Sequence, residues 1–252
     1  MRRYEVTDEQ WKLIEPLIPA AATTGRKRVP PRTVLNGVLW VLRSGSPWRD
    51  LPERYGPWQS IYHHFNYWRR TKVFEGILEA LQMRLDAQGH IDWDLWCVDG
   101  STVRASRAAA GAGKKGALKN PATTLWAARA ADSAASSTWL LTVTDSPSRS
   151  TSRPDCVAGD KGYSYPRIRS WLHRHSIQVV IPRRSDQHPD DGRHRFDKQL
   201  YRRRCTIEQC VGWLKECRRL CTRFEKLAVN FIAMIHVAFI ERYLRVAFSD
   251  GA

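Results

Sequence analysis

The sequence predicts an α/β domain preceded by an all-α domain, with the boundary at residues 88 and 89. Three observations carry this reading. Apolar residues recur at helical spacing along residues 8–85. Two short apolar runs, residues 91–98 and 156–158, each lead to an aspartate and read as strands. Helical patterns fill most of the chain from about Phe196 onward. With 252 residues, 42% of them hydrophobic, the chain can bury one large core or two modest ones.

In the amino-terminal part, Thr7 or Asp8 is placed to cap a helix in which Trp11, Ile14, Leu17 and Ile18 form an apolar stripe that Pro19 stops. GRKRVPPR, residues 25–32, has two prolines and four cations and reads as an extended basic linker. In the next segment Val34, Leu35, Val38, Leu39, Val41 and Leu42 make the wide stripe of a buried helix, ended by Gly45. Two further helices are expected, from about Trp58 to Arg70 and from about Val73 to Leu85. Short helices joined by Gly and Pro turns predict a helix-turn-helix module. In the helix from Trp58, the aromatic anchors Tyr62, Phe65 and Trp68 turn inward, while Gln59, Ser60, His63, Arg69 and Arg70 suit base edges and phosphates. It is the candidate recognition helix; the competing reading is an ordinary amphipathic helix with exposed histidines.

In the second part, IDWDLWCVDGS reads as a strand leading to Asp99, and DCVAGDKGYSYP as a strand at Cys156–Ala158 leading to Asp160, with Gly162 freeing the turn. PRIRSWLHRH reads as a helix, IQVVIP as a strand, and LAVNFIAMIHVAFIERYLRVAF as a strongly apolar helix. Between them, residues 201–226 are expected to form one helix. On it Tyr201, Arg204 and Lys215 fall within about 40° of Glu208, so one face carries a carboxylate, two cations and a phenol. Such a face can hold a divalent metal and grip phosphate. The alternative is a solvated, salt-bridged helix.

Lys and Arg outnumber Asp and Glu by 41 to 25, a formal charge of +16, which points to a polyanion and hence to nucleic acid. A membrane partner is not expected: neither a lipidation signal nor a basic amphipathic helix stands at the ends, and the most apolar run, Phe231 to Ile240, is too short to cross a bilayer. The amino terminus lacks the apolar core of a signal peptide, so a cytoplasmic protein is expected. The six cysteines include no C-x2-C pair and are expected to be reduced and mostly buried, Cys210, Cys217 and Cys221 forming a stripe about 160° from Glu208.

Tyr201, Arg204, Glu208 and Lys215 fit Y-x2-R-x3-E-x6-K, and Asp160, Gly162 and Tyr163 fit D-x-G-Y. Through these motifs the chain resembles the DDE transposases of bacterial insertion sequences. VLNGVLWVLRSGSPWRDLPERYGPW is similar to the amino-terminal domain of their insertion-sequence five family, within the insertion-sequence four-like superfamily. The resemblance implies a ribonuclease-H-like catalytic domain at residues 89–252, preceded by a helix-turn-helix domain at 1–88. Asp99, Asp160 and Glu208 would be catalytic and would hold two Mg2+ ions about 4 Å apart, with Mn2+ as a substitute. Lys161, Arg204 and Lys215 would neutralise phosphate and Tyr201 would hydrogen-bond the DNA backbone, none acting as a covalent nucleophile. The implied partner is double-stranded DNA, as terminal inverted repeats and target, bound by a homodimer in the nucleoid. Specific binding is expected to survive removal of everything after about Leu85, on the expectation that the first helices bury their own stripes.

The resemblance fails in the middle. Of the residues between Asp99 and Asp160, the Ala, Gly and Lys run from Arg104 to Lys119 reads as a flexible loop, and the whole segment 104–153 as disordered or aberrant. What remains is too short for the two strands and helix that intact relatives place there. STWLLTVTD can supply one strand. We hypothesise a frameshift followed by a deletion, because codons compatible with Ala131 to Trp139, read one base earlier, can encode a Gly, Phe, Gly, Ser, Lys, Leu, His, Leu run close to the missing strand. Codons in the gene that exclude that run would refute it. The alternative function is then a remnant that binds DNA without cutting it.

Overall fold

A computed structural model describes residues 4–19, 29–89, 94–98, 104–106, 155–185, 187 and 196–248. These form a mixed helix and sheet structure, mostly helical, in two compact units that interleave along the chain. Among the described residues the helical unit holds 4–89, 104–106 and 214–248, and the sheet unit holds the rest.

In the helical unit, α1 (Asp8–Ile14) begins at a capping box: the Thr7 hydroxyl accepts from the Gln10 amide and the Gln10 side chain accepts from the Thr7 amide, each at 3.0 Å. Pro16 then tightens the chain into a 3-10 turn, Glu15–Leu17, which rotates Leu17 out of the expected stripe to 39% exposure. Helix α2 (Pro31–Ser44) starts inside the expected linker, because Pro31 occupies a first-turn position where no amide hydrogen is required. It stops at Gly45, whose φ of 71° closes the helix, and a Cβ there would lie 2.8 Å from Arg218 Cβ. Helix α3 (Trp58–Arg70) lies as expected, with Ile61, Phe65 and Trp68 buried and Tyr62 half-buried, its ring tilted against Trp48 and stacked toward Phe65. Helix α4 (Val73–Ala87) follows at once.

The amino-terminal helices do not close their own core. Helix α9 (Ala228–Ala247), at the other end of the chain, packs against α2, α3 and α4 and buries Phe231, Met234, Val237, Ile240 and Leu244. The contact includes a buried ion pair in which Arg43 Nε donates to Glu241 Oε1 and Oε2 at 3.0 and 2.8 Å. Burial alone would lower the Arg43 pKa; the Glu241 carboxylate more than reverses this and raises it.

The sheet unit is built on three parallel strands in the order β1, β3, β4: β1 (Leu95–Val98), β3 (Cys156–Gly159) and β4 (Gln178–Val180). Helix α5 (Pro166–Arg174) makes the crossover from β3 to β4. One sheet face packs Val157, Leu172, Ile177 and Ile181; the other packs Cys156, Ala158 and Val180 beneath Leu200 and Tyr201. Both faces are thus covered, as parallel strands require.

Two expectations need correction. The single helix over 201–226 is broken into α6 (Lys198–Arg202), α7 (Cys205–Glu216) and α8 (Arg218–Cys221), followed by β5 (Thr222–Arg223). The first break is a pair of tight i−3 turns, in which the amides of Arg203 and Arg204 donate to Leu200 and Tyr201 carbonyls at 3.1 Å. At the second, Cys217 is extended and wholly buried, and the chain turns so that Arg219 can pair with Glu225 in the interior. The cysteine stripe dissolves with the helix: Cys217 is buried, Cys210 half-buried and Cys221 exposed; none of the six cysteines is in a disulfide, but only Cys156 and Cys217 are buried rather than most of them. Second, Arg104 and Ala105 are not loop but a strand, β2 (Arg104–Ala105), paired in parallel with β5. The rest of the segment expected to be disordered, from residue 107 on, and STWLLTVTD lie outside the described residues. No described helix is long and apolar enough to cross a membrane.

Candidate active site

The register of the sheet decides where the acids come. Val98, the last residue of β1, pairs with Gly159, the last residue of β3. The next residues in sequence are Asp99, which lies outside the described residues, and Asp160. Asp160 caps a 3-10 turn, Lys161–Tyr163, its Oδ1 accepting from the Gly162 amide at 2.7 Å. A Cβ at residue 162 would lie 2.8 Å from that oxygen, so the glycine of the D-x-G-Y motif is what lets the carboxylate sit over its own turn.

Arginines that sequence reasoning passed over hold this turn. Arg184 donates from Nε and Nη2 to the carbonyls of Lys161 and Gly162, each at 3.1 Å, and its guanidinium lies 4.5 Å from the Tyr165 ring. Arg169 reaches the Ser164 hydroxyl at 3.0–3.1 Å and the Ile181 carbonyl at 2.5 Å. Burial, with the nearby charge of Arg183, lowers the Arg169 pKa. The Arg183-Arg184 pair after β4 was the available signal; its target carbonyls are 22 and 23 residues away in sequence.

Tyr201, Arg204 and Glu208 come together despite the helix break. Tyr201 packs under the β3 cluster, the Arg204 guanidinium lies 5.5 Å from the Tyr201 ring, and Arg204 Nη2 donates to Glu208 Oε1. Glu208 raises the Arg204 pKa by hydrogen bond and charge, outweighing the burial that opposes it. Lys161 and Lys215 are exposed, and Lys215 stands two turns beyond Glu208 on α7. The expected single face is therefore a junction: a phenol on α6, a guanidinium in the turn, and a carboxylate and an ammonium on α7.

Comparison with known proteins bears on both units. Residues 157–245, which include Asp160, Tyr201, Arg204, Glu208 and Lys215, match the family model "Transposase DDE domain", and residues 6–78 match "Putative transposase of IS4/5 family (DUF4096)". The "Insertion element IS402 uncharacterized 16.2 kDa protein" of Burkholderia cepacia is 36% identical over 117 residues, covering 44% of this chain and 77% of that protein. This chain belongs to the IS4/5 family of transposases. "Uncharacterized protein y4sN" of Sinorhizobium fredii (strain NBRC 101917 / NGR234) is 35% identical over 107 residues, covering 42% of the transposase and 80% of that protein. No solved structure matches.

The transposase's α3 presents the other expected contacts. Gln59, His63 and Arg70 are exposed, and Ser60 and Arg69 half-buried, all in the helical unit rather than with the acids. Asp160 and Glu208 offer carboxylate oxygens, the donors that suit a hard divalent cation. Each acid has one oxygen engaged, Asp160 Oδ1 by an amide and Glu208 Oε1 by Arg204. No group of three or more potential ligands occurs among the described residues, from which Asp99 is missing.

Proposed function

We propose that this transposase binds the terminal inverted repeats of its insertion sequence and cuts and joins DNA by metal-dependent phosphodiester chemistry. The observation that carries the reading is the register of β1 and β3: positions 99 and 160 follow residues paired with each other, and the Y-x2-R-x3-E-x6-K motif begins with a tyrosine packed on β3. Asp99, Asp160 and Glu208 would hold the metal, taken as two Mg2+ ions, which when bound supply Lewis acidity at the attacking and leaving oxygens. Arg204, Lys161 and Lys215 bind and neutralise the phosphate oxygens, Arg204 in the planar geometry that suits them. Tyr201 orients Arg204 and hydrogen-bonds the DNA backbone. Water attacks the phosphorus at the element end and releases a 3′-hydroxyl. That hydroxyl then attacks a target phosphorus and displaces another 3′-hydroxyl, so bonds broken and formed balance. The helical unit, through Gln59, Ser60, His63, Arg69 and Arg70 on α3, reads the end as a helix-turn-helix module, and a homodimer brings two ends together.

The test is cleavage of DNA carrying the element's ends, with and without Mg2+, by the full chain. Asp99→Ala, Asp160→Ala and Glu208→Ala each abolish cleavage and leave end binding intact; a variant that still cuts normally removes that acid from the site. A second reading, a remnant that binds without cutting, is favoured by the departure of residues 121–153 from the family pattern. Replacing that segment with an intact relative's decides between them: activity gained only in the repaired chain supports the remnant, and equal cleavage refutes it.

A further inference from the structure

We propose that the outward face of α5, with the turn before it, is a stacking platform for single-stranded DNA. Helix α5 has no acidic residue. At about 100° per residue, Arg167, Trp171 and Arg174 fall within about 60° of one another, while Ile168 and Leu172, about 100° and 140° round the helix from Arg167, pack into the sheet core. The outward face is therefore an indole between two guanidiniums. Trp171 is 49% exposed, a large apolar surface that the core does not use. Its ring stacks on His175 with centroids 4.0 Å apart and planes 26° from parallel, and His175 Nδ1 donates to the Trp171 carbonyl at 2.7 Å, which fixes the stack. Arg167 sits in the first turn, where the helix dipole disfavours a cation and no acid offsets it.

A second exposed ring, Tyr165, stands at the start of the helix, on the side nearer Asp160 in sequence. Tyr165, 50% exposed, lies under the Arg184 guanidinium that is tied to the Lys161 and Gly162 carbonyls. Trp171 follows it by six residues, about 9 Å along the helix axis. Two exposed rings, each backed by a second flat group, with Lys161, Arg167 and Arg174 alongside, have the composition of a single-strand groove. Bases stack on aromatic faces there while cations follow the backbone. A duplex hides its base faces and offers only edges and phosphates, which gives it no use for these rings. The inference rests on the transposase reading for the source of the strand, an end freed beside the acids.

Binding is measured on the full chain in EDTA, by anisotropy of fluorescein-labelled oligodeoxythymidine, with oligouridine and a duplex of equal length as comparisons. Trp171→Ala weakens oligodeoxythymidine binding about tenfold and leaves the duplex unaffected, and Trp171→Phe restores most of the loss. Arg167→Gln and Arg174→Gln each lower the single-strand salt slope by about 0.7, which decides the matter even if Trp171→Ala fails to fold. Unchanged single-strand affinity and salt slopes, equal losses on the duplex, or tighter binding of oligouridine overturn the proposal. A chain that shows this pattern but never cuts with Mg2+ fails the transposase reading alone; one that cuts but lacks the pattern fails this inference alone.

Discussion

The helical unit and the sheet unit are stabilised in different ways. All of the largest fully buried side chains among the described residues, Phe65, Phe74, Phe231, Met234 and Ile240 included, belong to the helical unit. There the two ends of the chain share one core and one buried ion pair, Arg43 with Glu241. Among its described residues the sheet unit has three strands of three or four residues, small clusters on each face, and loops held by arginines donating to backbone carbonyls. Of the described candidate residues, Asp160, Lys161, Tyr201, Arg204 and Glu208 lie on this thinner unit, and Lys215 on the helical one. Stability and chemistry are thus placed apart, which lets the site move at less cost than the core.

Four changes break or sharpen that contrast. The largest effect is expected from removing α9. A fragment ending after about Leu85 loses the partner that covers α2, α3 and α4, so it should show no cooperative thermal transition, and Phe231→Ala in the full chain should cost about 3–5 kcal/mol. A stable, specifically binding fragment would restore the expectation drawn from sequence. Next, Glu241→Ala leaves the buried Arg43 only the exposed carboxylate of Glu216, 3.6 Å away, and should cost about 3–5 kcal/mol in urea unfolding, whereas Arg43→Met with Glu241→Leu should recover much of it. If the single and double variants were equally stable, the pair would matter little.

In the sheet unit, Gly162→Ala should act on chemistry rather than stability. The added methyl meets Asp160 Oδ1 and displaces the carboxylate, so cleavage should fall about 10- to 100-fold while stability changes by under about 1 kcal/mol. An equal loss of both would tie the turn to folding instead. The smallest effect is a difference in thiol labelling. Burial pushes the Cys217 thiol up to about 12, so at neutral pH almost no thiolate is present and labelling must await opening of the helical unit. Cys156, buried in the sheet unit, should label before Cys217 in mild urea, after the exposed Cys205 and Cys221. The reverse order would contradict the ranking of the two units.

Much of this was legible in the sequence. The extents of α3, β3, α5, β4 and α9 follow from apolar period and stop residues, because burial on one face is a local pattern. The destination of α9 was not legible: an apolar stripe shows that a helix is covered, not which helices cover it. The break at Cys217 depends on Arg219 reaching Glu225 and the Ser46 carbonyl, a tertiary demand that overrides helix propensity. For the same reason the residues around Glu208 are legible in the sequence but their shape is not. Its spacing fits a continuous helix, but the tight turns at Arg203 and Arg204 rather than a shared helix face bring Arg204 between Tyr201 and Glu208.

The central claim is that Asp160 and Glu208, with 47 residues between them in sequence, serve one metal centre. Affinity cleavage tests it without knowledge of the DNA ends: the full chain is loaded with Fe2+ in place of Mg2+, treated with ascorbate and peroxide, and the peptide fragments are mapped. The account predicts backbone cuts near residue 160 and near residue 208 in the same sample, both suppressed by excess Mg2+ and both lost in Glu208→Gln. Cuts near one acid that persist in Glu208→Gln, or cuts at neither, would contradict it.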